Sequence, residues 1–182
     1  MPEASEDSAI LIATSYQAPK RAEQGDKSTE TTNSVVVILF AGFFIEENLN
    51  VIIKEMKKST EITSFLGGKK HPGLLDKIAW YYNYYVASPK ATTRKELFAK
   101  DIKGKLLILS KLESRYPGFE DILKFRNNVA HGEINSLANL EHAKRLRKQA
   151  KSIVNELFKI AAKAGYQIPR NITYQAAITK TQ

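Results

Sequence analysis

The stretch SVVVILFAGFFIEENLNVIIKEMKK, residues 34–58, predicts the first strong helix of the chain. Its first half is an apolar run of 11 residues, and its second half keeps apolar side chains at helical spacing between acidic, amide and lysine side chains. A membrane-spanning helix needs about 20 apolar residues, and here Glu46 and Glu47 follow the run directly. We therefore predict a buried helix from Ser34 to about Lys58, with an interfacial segment as the second interpretation.

Four more helices are predicted downstream. The second runs from Pro72 to about Ala87, because proline suits a first helical turn, and its segment WYYNYYV is aromatic on nearly every side. The third begins at a capping box formed by Thr93 and Glu96 and runs to about Arg115. The residues predicted to face inward from this third helix are Phe98, Ile102, Leu106, Leu109 and Leu112.

The last two predicted helices cover residues 119–131 and 137–164, and a glycine follows each of them. No alternation typical of β-strands extends beyond a few residues before residue 166. We predict an all-α protein, a helical bundle of about five helices at residues 31–165. A flexible acidic tail at residues 1–30 precedes the bundle, and a C-terminal tail at residues 166–182 follows it.

The composition indicates a single domain and is compatible with a reducing compartment. The chain has 182 residues and no cysteine, which excludes disulfides, thiolate metal sites and a cysteine nucleophile. The acidic N-terminus MPEASEDS is unlike a secretory signal peptide, so we predict a cytoplasmic protein.

The charge is unevenly distributed along the chain. Residues 1–33 contain six acidic and three basic residues, a net charge of −3, and the remaining 25 basic and 13 acidic residues give +12. A folded part this basic is expected to attract polyanions such as RNA, DNA or an anionic membrane. A solvated, lysine-rich surface gives the same count, so the charge alone does not choose between them.

Several familiar sites are absent from the sequence. There is no GxxxxGK[ST] loop, no GxGxxG motif and no HExxH motif, and the three histidines lie on separate predicted elements. We therefore predict no metal site and no cofactor. The remaining candidate for chemistry is one polar helix end.

The segment KFRNNVAHGE, residues 124–133, contains the candidate catalytic residues Arg126, Asn127 and His131. On an ideal helix Arg126 lies at the edge of the buried stripe, and Asn127 and His131 are neighbours four residues apart. Arg126 and His131 are about 140° apart around such a helix. They meet only if the last turn unwinds toward Gly132 or if a second chain closes the groove.

These residue types suit RNA cleavage without a metal. A histidine at a helix C-terminus titrates near neutral pH and can take the proton from a ribose 2′-hydroxyl, a general-base effect of about 10²–10⁴-fold. The guanidinium of Arg126 offers a fixed fork of donors to phosphate oxygens and stabilises transition-state charge. Asn127 can orient the imidazole or a phosphate. In a purely structural alternative, His131 caps the helix and Arg126 pairs with Glu120 or Glu133.

The segment RNNVAHG, residues 126–132, resembles the signature of the HEPN superfamily, which is an arginine, a polar residue, three further residues and a histidine. Arg126, Asn127 and His131 occupy these positions. As in HEPN domains, the motif lies late in a predicted helical bundle, at the end of one helix and with another helix after it. Outside the motif the resemblance is one of helical layout, over roughly residues 34–164.

The resemblance implies a metal-independent endoribonuclease that leaves a 2′,3′-cyclic phosphate and a 5′-hydroxyl. It further implies a homodimer with a composite active site, and a role as a toxin or as a phage-defence effector acting by abortive infection. A protein or nucleotidyltransferase-type antitoxin is the partner that such a toxin implies. Glu46 and Glu47 fall where some HEPN families place an acidic residue on the first helix, although a polar face between buried turns explains them equally well.

The last predicted helix has a basic face formed by Lys144, Arg145, Lys148 and Lys151, which either tracks an RNA backbone or is simply solvated. Two functions of other classes stay open. One is a non-catalytic HEPN-like adaptor or RNA-binding module, which would bind RNA without producing cyclic-phosphate ends. The other is a basic helical domain that binds DNA or an anionic membrane, which gel shifts with duplex DNA and single-stranded RNA would reveal.

Overall fold

The protein is all-α, as predicted, in the computed structural model, which describes residues 27–69, 71–130 and 139–168. These residues contain no β-strand and form seven helices rather than about five. The helices are α1 (Lys27–Glu55), α2 (Ser59–Phe65), α3 (Leu74–Tyr85), α4 (Arg94–Leu97), α5 (Leu107–Arg115), α6 (Phe119–Ala130) and α7 (Leu140–Lys163). The first helix thus begins inside the range predicted as a tail, and residues 1–26 lie outside the described residues.

Two features account for the additional helices. The predicted first helix stops at Glu55, because Lys57 adopts a left-handed backbone with a φ of 54°, and α2 then starts as a separate helix at Ser59. The predicted third helix is divided into α4 and α5 by a turn at residues 98–106. The Asp101 carboxylate accepts bonds from the backbone N–H groups of Lys103 and Lys105 at 2.8 and 2.9 Å, which stabilises the turn in place of a helix.

The turn also corrects the predicted inward stripe. Ile102 was predicted to face the core and is instead fully exposed at the turn. Leu112 is fully buried, whereas Phe98, Leu106 and Leu109 are half-buried. The spacing of the apolar residues predicted one continuous helix, but the chain turns at residues 98–106 and the helical spacing does not apply across that turn. The Asp101 carboxylate and Gly104, whose φ is 77°, are the local causes of that break.

Helix α1 is the central element of the bundle and packs against α7, α6 and α3. Its buried side chains recur at helical spacing: Val37, Ile38, Ala41, Ile45, Leu49, Ile52, Ile53 and Met56. The segment Thr32–Glu55 is long and apolar enough to cross a membrane by length and composition. Half of its most apolar window is buried inside the protein, and core helices of soluble proteins meet the same criterion.

Helices α6 and α7 run antiparallel beside α1. The Phe125 ring lies 6.3 Å from the His142 ring between centroids, and Asp121, one turn earlier on α6, lies 3.4 Å from Arg145, one turn later on α7.

Both helices are anchored at their N-termini. The Glu113 carboxylate accepts bonds from backbone N–H groups at the start of α6, and the Asn139 side chain accepts one from the backbone of α7. Packing of α6 on α1 and the contact between Arg126 and Glu46 hold the C-terminal half of α6 against α1.

The aromatic helix α3 completes the core. Trp80 and Tyr81 are buried, and the hydroxyl of Tyr81 donates to the backbone carbonyl of Leu157 on α7 at 2.9 Å. The predicted capping box at α4 forms in part. The Thr93 hydroxyl accepts from the backbone N–H of Glu96 at 3.2 Å, but the Glu96 carboxylate bonds to Thr92, and these bonds lower the pKa of Glu96.

Candidate functional site

The C-terminal half of α6 positions Arg126 beside α1. Ile122 and Phe125 are buried and face the core, and Arg126 follows at the edge of this buried stripe. Its side chain keeps 25% of its surface exposed. The Arg126 side chain is therefore partly shielded by protein and partly open to solvent.

A single carboxylate on α1 orients this guanidinium. Nη2 of Arg126 donates to Oε2 of Glu46 at 2.7 Å, and Nζ of Lys77 on α3 donates to Oε1 of the same carboxylate at 2.8 Å. The side chains of Glu46 and Lys77 are 16% and 15% exposed, so the pairs are largely shielded from water. One anion between two cations leaves this group with a net charge of +1, and the three residues, from three helices, are called the α1–α3–α6 triad below.

The sequence left open that Arg126 pairs with Glu120 or Glu133, and the contact with Glu46 answers part of that question. Glu120, one of its two proposed partners, pairs with Lys105 at 3.0 Å. Glu133, the other, lies outside the described residues. Of the two acidic residues predicted on the first helix, Glu46 binds Arg126, whereas Glu47 accepts a bond from Asn50 at 3.4 Å.

The remaining motif residues are only partly described. Asn127 is exposed on α6. His131 lies outside the described residues, immediately after the last described residue of α6, so its position relative to Arg126 stays a prediction. The structure thus brings Arg126 together with Glu46 and Lys77, and not with Glu47.

The backbone of α1 approaches Arg126 through Gly42. A Cβ atom built on Gly42 would lie 3.1 Å from Cδ of Arg126 and 3.7 Å from Cγ2 of Ile122. On the next position of the helix, the Phe43 ring centre lies 5.2 Å from Cζ of Arg126. The Arg126 side chain therefore packs against Gly42 and Phe43 as it extends to Glu46.

We expect Gly42→Leu to displace Arg126 from Glu46. Overpacking a filled contact costs about 1–3 kcal/mol, and the arginine stem is the group that must move. Gly42→Ala is the matched control, because its single methyl meets only one tight contact and alanine is about 1 kcal/mol better than glycine inside a helix. Urea denaturation of the three proteins measures the difference, and equal stability of the leucine variant and the wild type would contradict the close approach.

The predicted RNA-binding residues lie on α7, away from its buried face. Lys148 and Lys151 are exposed, Lys144 lies 3.9 Å from Glu141, and Arg145 lies 3.4 Å from Asp121 and donates to Nδ1 of His142 at 2.8 Å. These cations occupy the outward side of α7, opposite its buried face, whereas Arg126 faces α1. The described contacts do not connect them with the α1–α3–α6 triad.

His142 gives the fold a pH dependence. Partial burial lowers the pKa of His142, the Arg145 cation lowers it further, and Asp121 opposes both. The unfolded state then binds a proton that the folded state does not, so the stability from this group is present above about pH 6.5 and falls as the pH drops below it. As the pH falls through that window, we expect the free energy of unfolding of His142→Gln to fall less steeply than that of the wild type, with a small difference because solvent screens this largely exposed group. Parallel curves at pH 5–7 would contradict this coupling.

Lys77 and Gly42 are site residues that the sequence interpretation missed. An isolated glycine inside a helix costs about 1 kcal/mol relative to alanine, so Gly42 within the apolar run was itself a signal of a close approach. Lys77 offers no comparable signal, because only the packing of α3 on α1 brings it to Glu46.

Among residues 27–69, 71–130 and 139–168, no three His, Cys, Asp or Glu side chains lie together where they could hold a metal ion. No protein-family model, no curated protein and no solved structure matches this chain. Its function is therefore inferred from the residues and their geometry.

Proposed function

We propose that this chain is a HEPN-type endoribonuclease that cleaves RNA without a metal ion. The observation that carries the proposal is the Arg126–Glu46 contact, in which the arginine of the RNNVAHG segment is fixed by a carboxylate on another helix. Any largely shielded guanidinium needs an anionic partner, so the support lies in the geometry: Glu46 holds one nitrogen of a guanidinium whose side chain stays partly open to solvent. A guanidinium that must meet a phosphate in one geometry gains from such an anchor.

In the proposed reaction, His131 removes the proton from a ribose 2′-hydroxyl. The 2′-oxygen attacks the adjacent phosphorus, the bond from phosphorus to the 5′-oxygen breaks, and the leaving 5′-oxygen takes a proton from solvent water. The products are a 2′,3′-cyclic phosphate and a 5′-hydroxyl. Arg126 binds the phosphate oxygens, which carry more negative charge in the transition state than in the substrate, and Asn127 orients the phosphate or the imidazole.

The charge of the site supports an anionic substrate. Glu46 is shared by Arg126 and Lys77, so it orients the arginine without cancelling the positive charge of the α1–α3–α6 triad. The guanidinium has five N–H donors, and the carboxylate of Glu46 engages one end of the fork. Outside residues 1–33 the chain carries a net charge of +12, with 25 basic and 13 acidic residues, which favours association with RNA.

The biological role within this proposal is that of a cytoplasmic toxin or phage-defence effector. The chain acts as a homodimer, so that the motifs of two copies meet at one cleft, and an antitoxin restrains it. The cations on the outward side of α7 would then track the RNA backbone away from the cut site.

Incubation of purified protein with several single-stranded RNAs in EDTA tests the proposal. We expect cleavage of RNA and none of DNA of the same sequence, because DNA lacks the 2′-hydroxyl. An inert protein that still binds RNA in a salt-sensitive way would instead support the non-catalytic RNA-binding module. Equal binding of duplex DNA and single-stranded RNA, with no cleavage, would support a general polyanion-binding domain.

A further inference from the structure

One exposed aromatic residue beside Arg126 has no role in the proposed cleavage step. Phe43 is 39% exposed, although it lies on the central helix α1. The Phe40 ring, one turn earlier, lies 6.4 Å from the Phe43 ring between centroids, and Cζ of Arg126 lies 5.2 Å from the centre of the Phe43 ring. An aromatic surface thus continues directly from the cation that is proposed to bind phosphate.

We propose that Phe43 is a base-stacking site for single-stranded RNA. An unpaired nucleobase next to the scissile phosphate stacks on the exposed part of the ring, while Arg126 holds the phosphate of the same nucleotide step. This inference rests on the proposed function, because it takes the phosphate at Arg126 as given. It adds that the substrate is single-stranded at the cut, since a base inside a duplex cannot reach the ring.

The charge around Phe43 selects this occupant over an apolar one. Arg126 contacts both Phe43 and, one turn further along α1, Glu46. An apolar partner covering Phe43 would also shield more of the adjacent Arg126 side chain from water without offering its cation a further anion, which is unfavourable. A nucleotide supplies a flat ring for Phe43 and a phosphate for Arg126 in one ligand, so both contacts are made together.

A double-mutant cycle, with one change in the protein and one in the RNA, tests the stacking. We expect Phe43→Ala to raise KM about tenfold on an RNA with one cut site, and an RNA with an abasic ribose beside that site to cost the wild type a similar factor. Combining the two changes should cost little more than either alone. Ile102→Ala, which removes a fully exposed apolar side chain from the turn between α4 and α5, is the matched control and should change nothing. An equal loss for Phe43→Ala on intact and abasic RNAs would overturn the proposal and leave Phe43 as packing for Arg126.

A fluorescence measurement separates this inference from cleavage. The only native tryptophan, Trp80, is 2% exposed, so the tryptophan introduced by Phe43→Trp reports the site. Uncleavable 2′-O-methyl RNA should quench its emission, abasic RNA should quench it less, and wild-type emission should not change. Quenching without cleavage of any ordinary RNA would retain the stacking site and reject the nuclease. RNA binding that saturates without quenching would overturn the stacking site. An emission change that depends on protein concentration in the absence of RNA would also overturn it, in favour of contact between two copies of the chain.

Discussion

Replacing Arg126 with alanine is expected to lower kcat for RNA cleavage by about 10²–10³-fold, the usual cost of removing one donor that stabilises transition-state charge. Replacing His131 with alanine is expected to cost about 10²–10⁴-fold, because the 2′-hydroxyl loses its general base. Neither change should unfold the protein. In Arg126→Ala the Glu46 carboxylate keeps its bond to Lys77, so no buried anion is left unpaired.

Two variants make the Arg126 result specific. Lys124→Ala removes a positive charge from an exposed position of the same helix and should retain nearly full activity, which excludes a general effect of net charge. Arg126→Lys keeps the charge but loses the planar fork, and should recover only part of the activity. Full activity of Arg126→Ala at unchanged fold would remove Arg126 from the reaction.

The second large effect is expected at Glu46. Glu46→Gln leaves the cations of Arg126 and Lys77 facing each other in a largely shielded site, which should lower the free energy of unfolding by about 1–3 kcal/mol. It should also lower kcat about tenfold with a smaller change in KM, because Arg126 still reaches the phosphate but is no longer held in one geometry. Urea denaturation and steady-state kinetics on one RNA measure the two effects.

Glu47→Gln is the matched comparison, since it makes the same chemical change one residue further along α1. Its carboxylate contacts Asn50 and not Arg126, so stability and kinetics should stay close to those of the wild type. Equal effects of the two glutamine variants would show that the Glu46–Arg126 contact does not position the arginine. A loss of stability in Glu46→Gln with unchanged kcat would assign Glu46 to folding alone.

Much of the fold followed from local pattern. The apolar period of residues 34–58, Pro72 before α3 and the glycine after residue 164 each act through neighbouring residues, so the α-helical class and most helices were predictable. The division of the third helix was not, because apolar residues continue at helical spacing across the turn. Asp101 accepts hydrogen bonds from the backbone N–H groups of Lys103 and Lys105, and these bonds stabilise the turn relative to a continuous helix. The spacing of apolar residues contains no information on that difference in free energy.

The candidate site was predictable only along one helix. The placement of Arg126 at the edge of a buried stripe follows from 3.6 residues per turn. Its pairing with Glu46 joins residues 80 positions apart, and Lys77 joins the same carboxylate from a third helix, so both depend on packing that no local pattern contains. The basic face of α7 was predictable as residues on one side of a helix, but no local pattern places that face relative to Arg126.

The chemical identity of the RNA ends shows whether the ribose 2′-oxygen is the attacking group. Wild-type protein should cleave a single-stranded RNA in EDTA and leave a 2′,3′-cyclic phosphate on one fragment and a 5′-hydroxyl on the other. A single 2′-deoxy substitution at the nucleotide that precedes the cut should block that cut alone. Fragments that carry a 3′-hydroxyl and a 5′-phosphate, or cleavage that persists at the 2′-deoxy position, would contradict attack by the 2′-oxygen and with it the roles given to Arg126 and His131.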